Sequence, residues 1–342
     1  MGPTGIAAMM PIRNPFNMYI TSVIASVFEN GCKGMQISGI INVSGTLIIF
    51  VYTNSYNMRR IHPILLTVCI LASLEVSAQT ARSLFMRSDS LEVPEIVSPE
   101  PVIYNKVGHH GPAVENYASA FRLYFNNSGA IDVYSKSGKQ MELEKYLWYP
   151  TEEQQATEGA GCDEYMVGKT VGLGGIALWD GENEVKLEAE RRTGRVGATR
   201  RGSYAEIIAY GVPYMGEKVD IAMRIDVRDR SRIAKVTAWE LNGRKVRFLT
   251  GVNYHPGHTV GMERRGRLWT WGTHPADVSQ APIPLGAAIF FRPCRFSSPE
   301  KTDDMLRIIS KPNKRIRTRI VAASTKEEEL GTLERFRRFV EK

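Results

Sequence analysis

The sequence predicts an all-β protein, an antiparallel sandwich or barrel that ends in a short helix. Short segments of alternating apolar and polar residues recur through residues 102–322, a pattern typical of half-buried strands. Turn-forming pairs such as Asp180-Gly181 and Asn242-Gly243 separate these segments. The sequence shows no alternation of strands with long helical patterns, which disfavours a parallel α/β sheet.

The clearest predicted strand is Glu217–Arg228. Apolar side chains occupy every second position from Val219 to Val227, and most of the positions between them are charged, so one face is expected to be buried. Similar segments predict strands at residues 131–134, 176–179, 203–210, 233–239, 268–273, 287–291, 305–309 and 316–322.

Helical spacing is clearest near the C-terminus. Leu330, Leu333, Phe336 and Val340 recur at that spacing and predict a helix that packs against the sheets. Residues 79–98 are polar and contain Pro94, which favours a leader strand or a loose arm. About 240 residues remain, enough for one large β domain, and no repeat or linker divides them.

Residues 58–78 have the three parts of a secretory signal peptide: a basic start, a short apolar core and a small-residue cleavage site. The apolar core is too short to span a bilayer. We therefore expect a periplasmic or secreted protein that starts at Met58, is cut after Ala78 and stays out of the membrane once processed. Residues 1–57 are then an upstream extension. The alternative is a membrane anchor at residues 35–52, which are mostly apolar.

The predicted mature chain, residues 79–342, is mildly basic. Four of the 44 Lys and Arg residues and two of the 36 Asp and Glu residues precede the cut, which leaves a net charge of +6. This charge favours an anionic partner, and no basic block interleaved with aromatic residues indicates nucleic acid. Cys162 and Cys294 can pair in an oxidising compartment but make no disulfide framework. No Cys-x-x-Cys or His-Glu-x-x-His motif occurs, so the sequence indicates no thiolate metal centre and no cofactor is predicted. The five histidines and many carboxylates of the mature chain leave a metal ion as the open alternative.

The stretch from His109 to Arg122 has the densest set of acid–base groups. Two imidazoles, a carboxylate, an amide and a guanidinium fall within 14 residues. A Gly-Pro turn follows the histidine pair, and a strand pattern places Arg122 and Tyr124 on the face opposite Phe121 and Leu123. This density suits acid–base chemistry on a charged polar substrate. The alternative is a pair of ordinary turn histidines.

Two later segments add candidate groups. Residues 253–263 follow a strand that ends near Val252, so His255 and His258 are expected on a loop, where binding residues tend to lie. Trp269 and Trp271 share one strand face, either as core or as a platform on which a sugar stacks.

A further segment, residues 162–169, places an acid, a phenol and an amine before a glycine-rich run at residues 172–175. No helical pattern follows those glycines. A phosphate-binding loop is therefore not predicted, and Asp163 and Tyr165 are kept as candidates for acid–base or binding roles.

Five segments together resemble one protein family: HHGPAVENYASAFRLYF, AIDVYSKSG, DEYMVGKTVGLGGIALWDG, LTGVNYH and WTWGT. This family comprises secreted domains of bacterial polysaccharide-utilisation loci, and the resemblance covers residues 100–325. Its characterised activity is that of an ulvan-type oligosaccharide dehydratase. The resemblance implies an antiparallel β-sandwich of the galactose-mutarotase-like supersandwich type. It also implies a carbon–oxygen lyase that removes water from a non-reducing-terminal uronic acid and leaves a 4,5-unsaturated sugar.

That reaction takes a proton from the carbon next to a carboxylate. The site must neutralise the carboxylate, place a base near C5 and place an acid near the C4 hydroxyl. We expect His110 to act as the base and Arg122 to neutralise the carboxylate. His258 or His255, with Tyr165 as a further candidate, is expected to protonate the leaving hydroxyl.

Neighbouring polar groups complete the predicted site. Glu115 is expected to orient an imidazole, and the sugar is expected to contact His109, Asn116, Lys136, Asp163 and Trp271. Structural alternatives are an ion pair of Arg122 with Glu115 or Asp132, a solvated Lys136, a turn-capping Asp163 and a loop role for His274.

Three other functions compete with water elimination from an anionic oligosaccharide. A polysaccharide lyase uses the same chemistry but shortens the chain. A non-catalytic carbohydrate-binding protein would use Trp148, Trp179, Trp269 and Trp271 as platforms. A sugar epimerase or mutarotase is suggested by the implied fold alone, and fold does not fix function.

Overall fold

The structure, a computed structural model, describes residues 35–43, 46–53, 80–147, 150–263, 265–276 and 282–342. The chain divides into two units, Met1–Val76 and Ser77–Lys342. The predicted start at Met58 and the signal peptide at residues 58–78 lie outside the described residues.

In the first unit, strands β1 (Met35–Val43) and β2 (Thr46–Thr53) pair antiparallel. A strand pair thus takes the place of the helix that a membrane anchor at residues 35–52 would need. Among the described residues, no helix has the length and apolar character needed to cross a membrane.

The second unit contains three antiparallel sheets, which confirms the predicted all-β class. The largest has nine strands in the order β16-β17-β18-β21-β14-β13-β12-β11-β4. Their bounds are β4 (Glu95–Ser98), β11 (Arg191–Thr199), β12 (Gly202–Tyr214), β13 (Glu217–Arg228), β14 (Ser231–Glu240), β16 (Thr259–Glu263), β17 (Arg267–Thr273), β18 (Pro284–Phe290) and β21 (Arg315–Ser324).

Two five-stranded sheets accompany the large one. The first, in the order β3-β5-β6-β7-β8, comprises β3 (Ala81–Ser83), β5 (Ala113–Glu115), β6 (Ser119–Leu123), β7 (Ile131–Ser135) and β8 (Cys162–Asp163). The second, in the order β10-β9-β15-β20-β19, comprises β9 (Ala177–Trp179), β10 (Glu184–Val185), β15 (Phe248–Asn253), β19 (Glu300–Lys301) and β20 (Met305–Ile309).

The main core lies between these sheets. Val219, Ile221 and Ile225 of β13 enter it from the large sheet, and Phe121 and Leu123 of β6 enter it from the first small sheet. All five side chains are at most 2% exposed. This sandwich-like arrangement follows from the period-2 alternation of the strands.

The described part of the second unit also contains two α-helices. Helix α1 (Glu152–Thr157) begins with a capping box in which the Thr151 side chain accepts from the Gln154 amide. The predicted C-terminal helix is α2 (Leu333–Glu341), and its Phe336 and Val340 are buried. Both helices are short, so the fold remains essentially all β.

Helix α2 packs on the two tryptophans of β17. Trp269, Trp271, Phe336 and Val340 form a second apolar cluster. The close approach requires a glycine on β18, because a Cβ at Gly286 would lie 2.6 Å from the Trp271 ring and 2.8 Å from the Phe336 ring. The tryptophan pair is therefore part of a core beneath the helix.

Cys162 and Cys294 are free thiols, the first buried and the second exposed. Their possible pairing is therefore not made in this structure.

Candidate functional site

The candidate site forms where polar groups from three separate segments of the chain come together. One contribution is the turn Gly108–His110 before β5. A second is the segment at residues 163–166, which continues from β8, and a third comes from the segments that follow β15 and β17.

The histidine pair adopts an unusual backbone conformation. His109 and His110 both lie in the left-handed region, with φ of 53° and 60°. The His110 ring stacks on Tyr104 with centroids 3.8 Å apart, and its Nδ1 lies 3.1 Å from the Tyr104 carbonyl oxygen. The His109 ring turns inward and meets Phe85 edge to face. The turn thus sends its two imidazoles to different environments.

Both imidazoles are held in the neutral form near neutral pH. Burial lowers the pKa of His109 to about 3, with the Arg122 guanidinium adding to the effect. Burial also lowers the pKa of His110, to about 4. His109 is 2% exposed, whereas His110 is half-buried at the surface. Of the two, His110 is the one that a substrate can contact.

Arg122 is bound by two carboxylates on the strands that flank it. Its Nη2 forms an ion pair with Asp132 of β7 and lies 2.5 Å from Asp163 of β8. Asp132 also accepts a hydrogen bond of 2.7 Å from the Tyr124 hydroxyl. Burial and the Asp163 charge raise the pKa of Asp132 to about 7, against the opposing effect of Arg122. Asp132 can therefore hold a proton near neutral pH.

Three histidines form a compact cluster about the end of β17. The ring centroids of His255 and His274 are 4.7 Å apart, those of His258 and His274 4.8 Å, and those of His255 and His258 5.5 Å. Tyr165 lies against the same cluster, with its ring centroid 4.6 Å from that of His274. We call His255, His258 and His274 the histidine trio.

A backbone carbonyl fixes one ring nitrogen of each histidine. His255 Nε2 lies 3.0 Å and His274 Nδ1 3.4 Å from the Met166 carbonyl oxygen, and His258 Nε2 lies 3.1 Å from that of Thr273. A carbonyl oxygen only accepts, so these nitrogens carry hydrogen. In a neutral imidazole the opposite nitrogen then holds the lone pair. These nitrogens are His255 Nδ1, His258 Nδ1 and His274 Nε2.

Burial lowers the pKa of His258, and lowers that of His274 well below the usual histidine value. Neighbouring imidazoles of the trio add to both shifts. At neutral pH these two rings are therefore uncharged, and each keeps a nitrogen that can accept a proton.

Four buried polar atoms in this cluster make no hydrogen bond of normal length and angle with the described residues: Tyr165 Oη, Asn253 Oδ1, His258 Nδ1 and His274 Nε2. The Asn253 backbone lies near enough to Tyr165 to oppose the rise of its pKa without completing such a bond. Burying an unpaired polar group costs about 1–3 kcal/mol, so such atoms are uncommon and call for an explanation. Several such atoms lie side by side here. This arrangement is typical of a binding site in which the ligand supplies the missing hydrogen-bond partners.

The segment at residues 163–166 joins the two groups of side chains. Asp163 binds Arg122, Tyr165 packs on His274, and the Met166 carbonyl accepts from His255 and His274. Burial raises the Tyr165 pKa, and the Asp132 charge adds to that rise. His255 and His258 are half-buried, so the joined site reaches the surface on that side.

Within the described part of the chain, no three His, Cys, Asp or Glu side chains are arranged to hold a metal ion.

Three residues predicted to belong to the site are instead structural. Glu115 accepts hydrogen bonds from Lys136 Nζ at 2.9 Å and from the amides of Glu142 and Leu143 at 2.8 and 2.9 Å. Asn116 Oδ1 accepts from the amides at residues 118 and 119. All three predicted residues, Glu115, Asn116 and Lys136, are buried. Glu115 therefore holds a loop against the sheet and orients no imidazole, and Lys136 is not a solvated turn residue either.

Trp271 is also excluded as a sugar platform. Its ring lies beneath α2 with its centroid 5.6 Å from that of Phe336, and the residue is 8% exposed. Of the two roles considered for this tryptophan, core residue and sugar platform, the structure shows the core role. For Arg122, the contact with Asp132 matches the ion-pair alternative.

Sequence reasoning missed His274, Asn253 and Tyr104. His274 was expected to be a loop residue because it precedes a proline, yet it is 1% exposed. The available signal was its position directly after the strand that carries the two tryptophans, at the end of a sheet where His258 also lies. Asn253 opens the candidate segment 253–263, but its amide was given no role there, and Tyr104 had no distinguishing sequence context.

Comparisons with known proteins identify the family. Residues 73–342 match the model of the family described as "Domain of unknown function (DUF4861)", and the chain belongs to that family. A search of curated proteins finds no match.

Among solved structures, the chain is similar to the 4-alpha-glucanotransferase from Thermococcus litoralis, with 10% sequence identity and a TM-score of 0.32. The match covers 63% of this chain and 39% of the glucanotransferase chain.

Proposed function

We propose that the protein is a carbon–oxygen lyase that removes water from the non-reducing-terminal uronic acid of an anionic oligosaccharide. The product is a 4,5-unsaturated sugar formed during polysaccharide degradation. We also place the protein in the periplasm or outside the cell.

The observation that carries this proposal is the cluster of unsatisfied polar atoms around the histidine trio. A sugar ring offers hydroxyl donors and acceptors in several directions, and it could satisfy Tyr165 Oη, Asn253 Oδ1 and the imidazole nitrogens together. The resemblance described above supports the uronic acid as the substrate class.

The geometry favours His258 as the base. Its Nε2–H is held by the Thr273 carbonyl, so its Nδ1 carries the lone pair that can take the C5 proton. This revises the expectation for His110, whose ring stacks on Tyr104. Nearby lie Arg122 and its two carboxylates, Asp132 and Asp163, which we call the Arg122 group. His110 is then left as a substrate-binding candidate.

Tyr165 is the matching candidate for the acid. Burial raises its pKa well above the usual value, so its hydroxyl stays protonated at neutral pH. A protonated phenol next to the histidine trio can donate to the C4 hydroxyl as that group leaves. His255, half-buried at the same opening, is the alternative donor.

The Arg122 group has a revised role in neutralising charge. Two carboxylates already compensate the guanidinium, so it cannot act as an isolated cation. Asp132, with a pKa of about 7, can instead be protonated when the substrate carboxylate arrives. The uptake of that proton would offset part of the added negative charge.

The experiment uses oligosaccharides with a saturated uronic acid at the non-reducing end. Elimination is followed by the ultraviolet absorbance of the new double bond and by mass spectrometry of the products. We expect a product lighter by one water with unchanged chain length, and a His258→Gln variant slower by at least about 10²-fold.

Other outcomes contradict the proposal. Shortened oligosaccharides would identify a polysaccharide lyase. Tight glycan binding without any product would identify a carbohydrate-binding protein. A His258→Gln variant that retains its fold and runs within a few-fold of the parent would remove His258 from the base role.

A further inference from the structure

A cavity of about 700 Å³ opens at the opposite end of β18 from the histidine trio. Pro284 of β18 pairs with Thr273, next to the trio, whereas Phe290 at the other end lines the cavity. A seven-residue strand separates the two places by about 20 Å. The cavity is therefore distinct from the candidate site.

The lining of this cavity is strongly basic. Six cationic side chains contribute to it, and none of its described lining residues is acidic: Lys235, Arg292, Arg295, Arg315, Arg317 and Arg319. All six residues are exposed. Lys235 has an ion pair with Asp226 at 3.1 Å. Among the described residues, no carboxylate lies within ion-pair distance of the five arginines. We call this feature the arginine groove.

The arginines on β21 form a regular row. Arg315, Arg317 and Arg319 occupy alternate positions of one strand and so point to the same side. Adjacent members are about 7 Å apart along the strand, and the row spans about 14 Å. Repeated cations at a fixed spacing match an extended chain that carries repeated anions.

We propose that the arginine groove binds a linear anionic oligosaccharide through its sulfate or carboxylate groups. The planar guanidinium fork binds both groups through two parallel hydrogen bonds. This binding does not depend on the proposed elimination, because no residue of the groove belongs to the histidine trio or the Arg122 group.

The aromatic residues of the groove favour a glycan over a nucleic acid. Single-stranded nucleic acids bind by stacking bases on open aromatic faces. Here the Arg319 guanidinium lies over the Phe290 ring at 5.5 Å, and Phe291 and Phe296 are buried against each other. The groove therefore exposes charged groups to a ligand and leaves no open aromatic face for stacking.

The test measures binding of heparin and chondroitin sulfate hexasaccharides by isothermal titration calorimetry, with maltohexaose as the neutral control. We expect at least one sulfated hexasaccharide to bind with a Kd below about 1 mM and to weaken as sodium chloride is raised. The double variant Arg315→Gln/Arg317→Gln should weaken that binding at least about tenfold. The double variant Arg315→Lys/Arg317→Lys keeps the charges but loses the guanidinium forks. Its affinity should lie between those of the parent and the glutamine variant.

The matched control is Arg200→Gln/Arg201→Gln, which removes two exposed arginines from the turn between β11 and β12. This control should change the affinity by less than about twofold. The proposal is overturned if neither hexasaccharide binds, if the control loses as much affinity as the β21 variant, or if oligothymidylate binds as tightly as the sulfated sugars. Retained binding by His258→Gln separates this outcome from any failure of the proposed elimination.

Discussion

The phenol ring of Tyr165 packs on the imidazole ring of His274, with centroids 4.6 Å apart, and each ring carries a buried polar atom without a described partner. An arrangement of this kind lowers stability, because two desolvated groups lack hydrogen bonds. Such local costs are typical of functional sites, where a ligand satisfies the groups.

Replacing Tyr165 by Phe should separate activity from stability. The substitution removes the unsatisfied hydroxyl while it keeps the ring on His274. We expect the free energy of unfolding to stay unchanged or to rise by up to about 2 kcal/mol. Elimination of water should slow by at least about 10²-fold, since the acid is lost. Urea denaturation and the ultraviolet assay measure the two effects.

The control for this substitution is Tyr210→Phe in β12, where the ring lies under the Arg191 guanidinium. It should leave the rate unchanged. Equal losses of rate in the two variants would show that Tyr165 has no special part in the reaction.

Lys136→Met should destabilise the protein strongly. The substitution leaves the Glu115 carboxylate buried without its cation, and breaking a buried pair in this way costs about 3–5 kcal/mol. The double variant Glu115→Gln/Lys136→Met should recover part of that loss, because it removes the isolated charge. Urea denaturation at pH 7 checks both values, and a loss below about 1 kcal/mol for the single variant would contradict the buried pair.

His109 should make the protein less stable in acid. Its pKa is about 3 in the folded protein and about 6.5 in the unfolded chain, so below pH 6.5 the unfolded chain binds the extra proton. This contribution to stability is present above pH 6.5 and falls as the pH is lowered towards 3, by up to about 1.4 kcal/mol per pH unit.

His109→Asn tests this dependence. Asparagine tolerates the left-handed backbone of this position and does not titrate. The unfolding free energy of the parent minus that of this variant should decrease as the pH falls from 6.5 to 4. A difference that stays constant with pH would show that His109 does not titrate with unfolding.

Gly286→Ala should loosen the C-terminal helix. The added methyl group would meet the Trp271 and Phe336 rings at less than 3 Å, and overpacking of this kind costs about 1–3 kcal/mol. Gly138→Ala is the control, since its Cβ would meet only the flexible end of Gln140. Thermal unfolding should show a lower Tm for the first variant alone.

The strands with regular alternation were predictable from the sequence, and the others were not. Strand β13 has the predicted bounds, Glu217–Arg228, because every second side chain enters the core. Strand β11 was missed, since its Arg and Gly residues hide the pattern and its place between β12 and β4 depends on distant pairing. Strand β16 was expected to be loop because it is a short edge strand with a central glycine, and it pairs only with β17.

The candidate site shows a similar division. The chain positions of Tyr165, His255 and His258 in segments beside predicted strands identified them as candidates before the fold was known. The pairing of Glu115 with Lys136 could not be predicted, because it depends on how a loop at residues 142–143 folds over the sheet. His274 joined the trio only through the register of β17 with β16 and β18.

The two free thiols give the arginine groove a built-in reporter. Burial and the Glu164 carboxylate raise the pKa of Cys162 to about 12, which leaves about 10³-fold less thiolate than a free cysteine has. Cys294 is exposed in the turn between the groove residues Arg292 and Arg295. Within residues 79–342, a maleimide dye should therefore attach at Cys294 alone, and its fluorescence can report occupancy of the groove without any engineered cysteine.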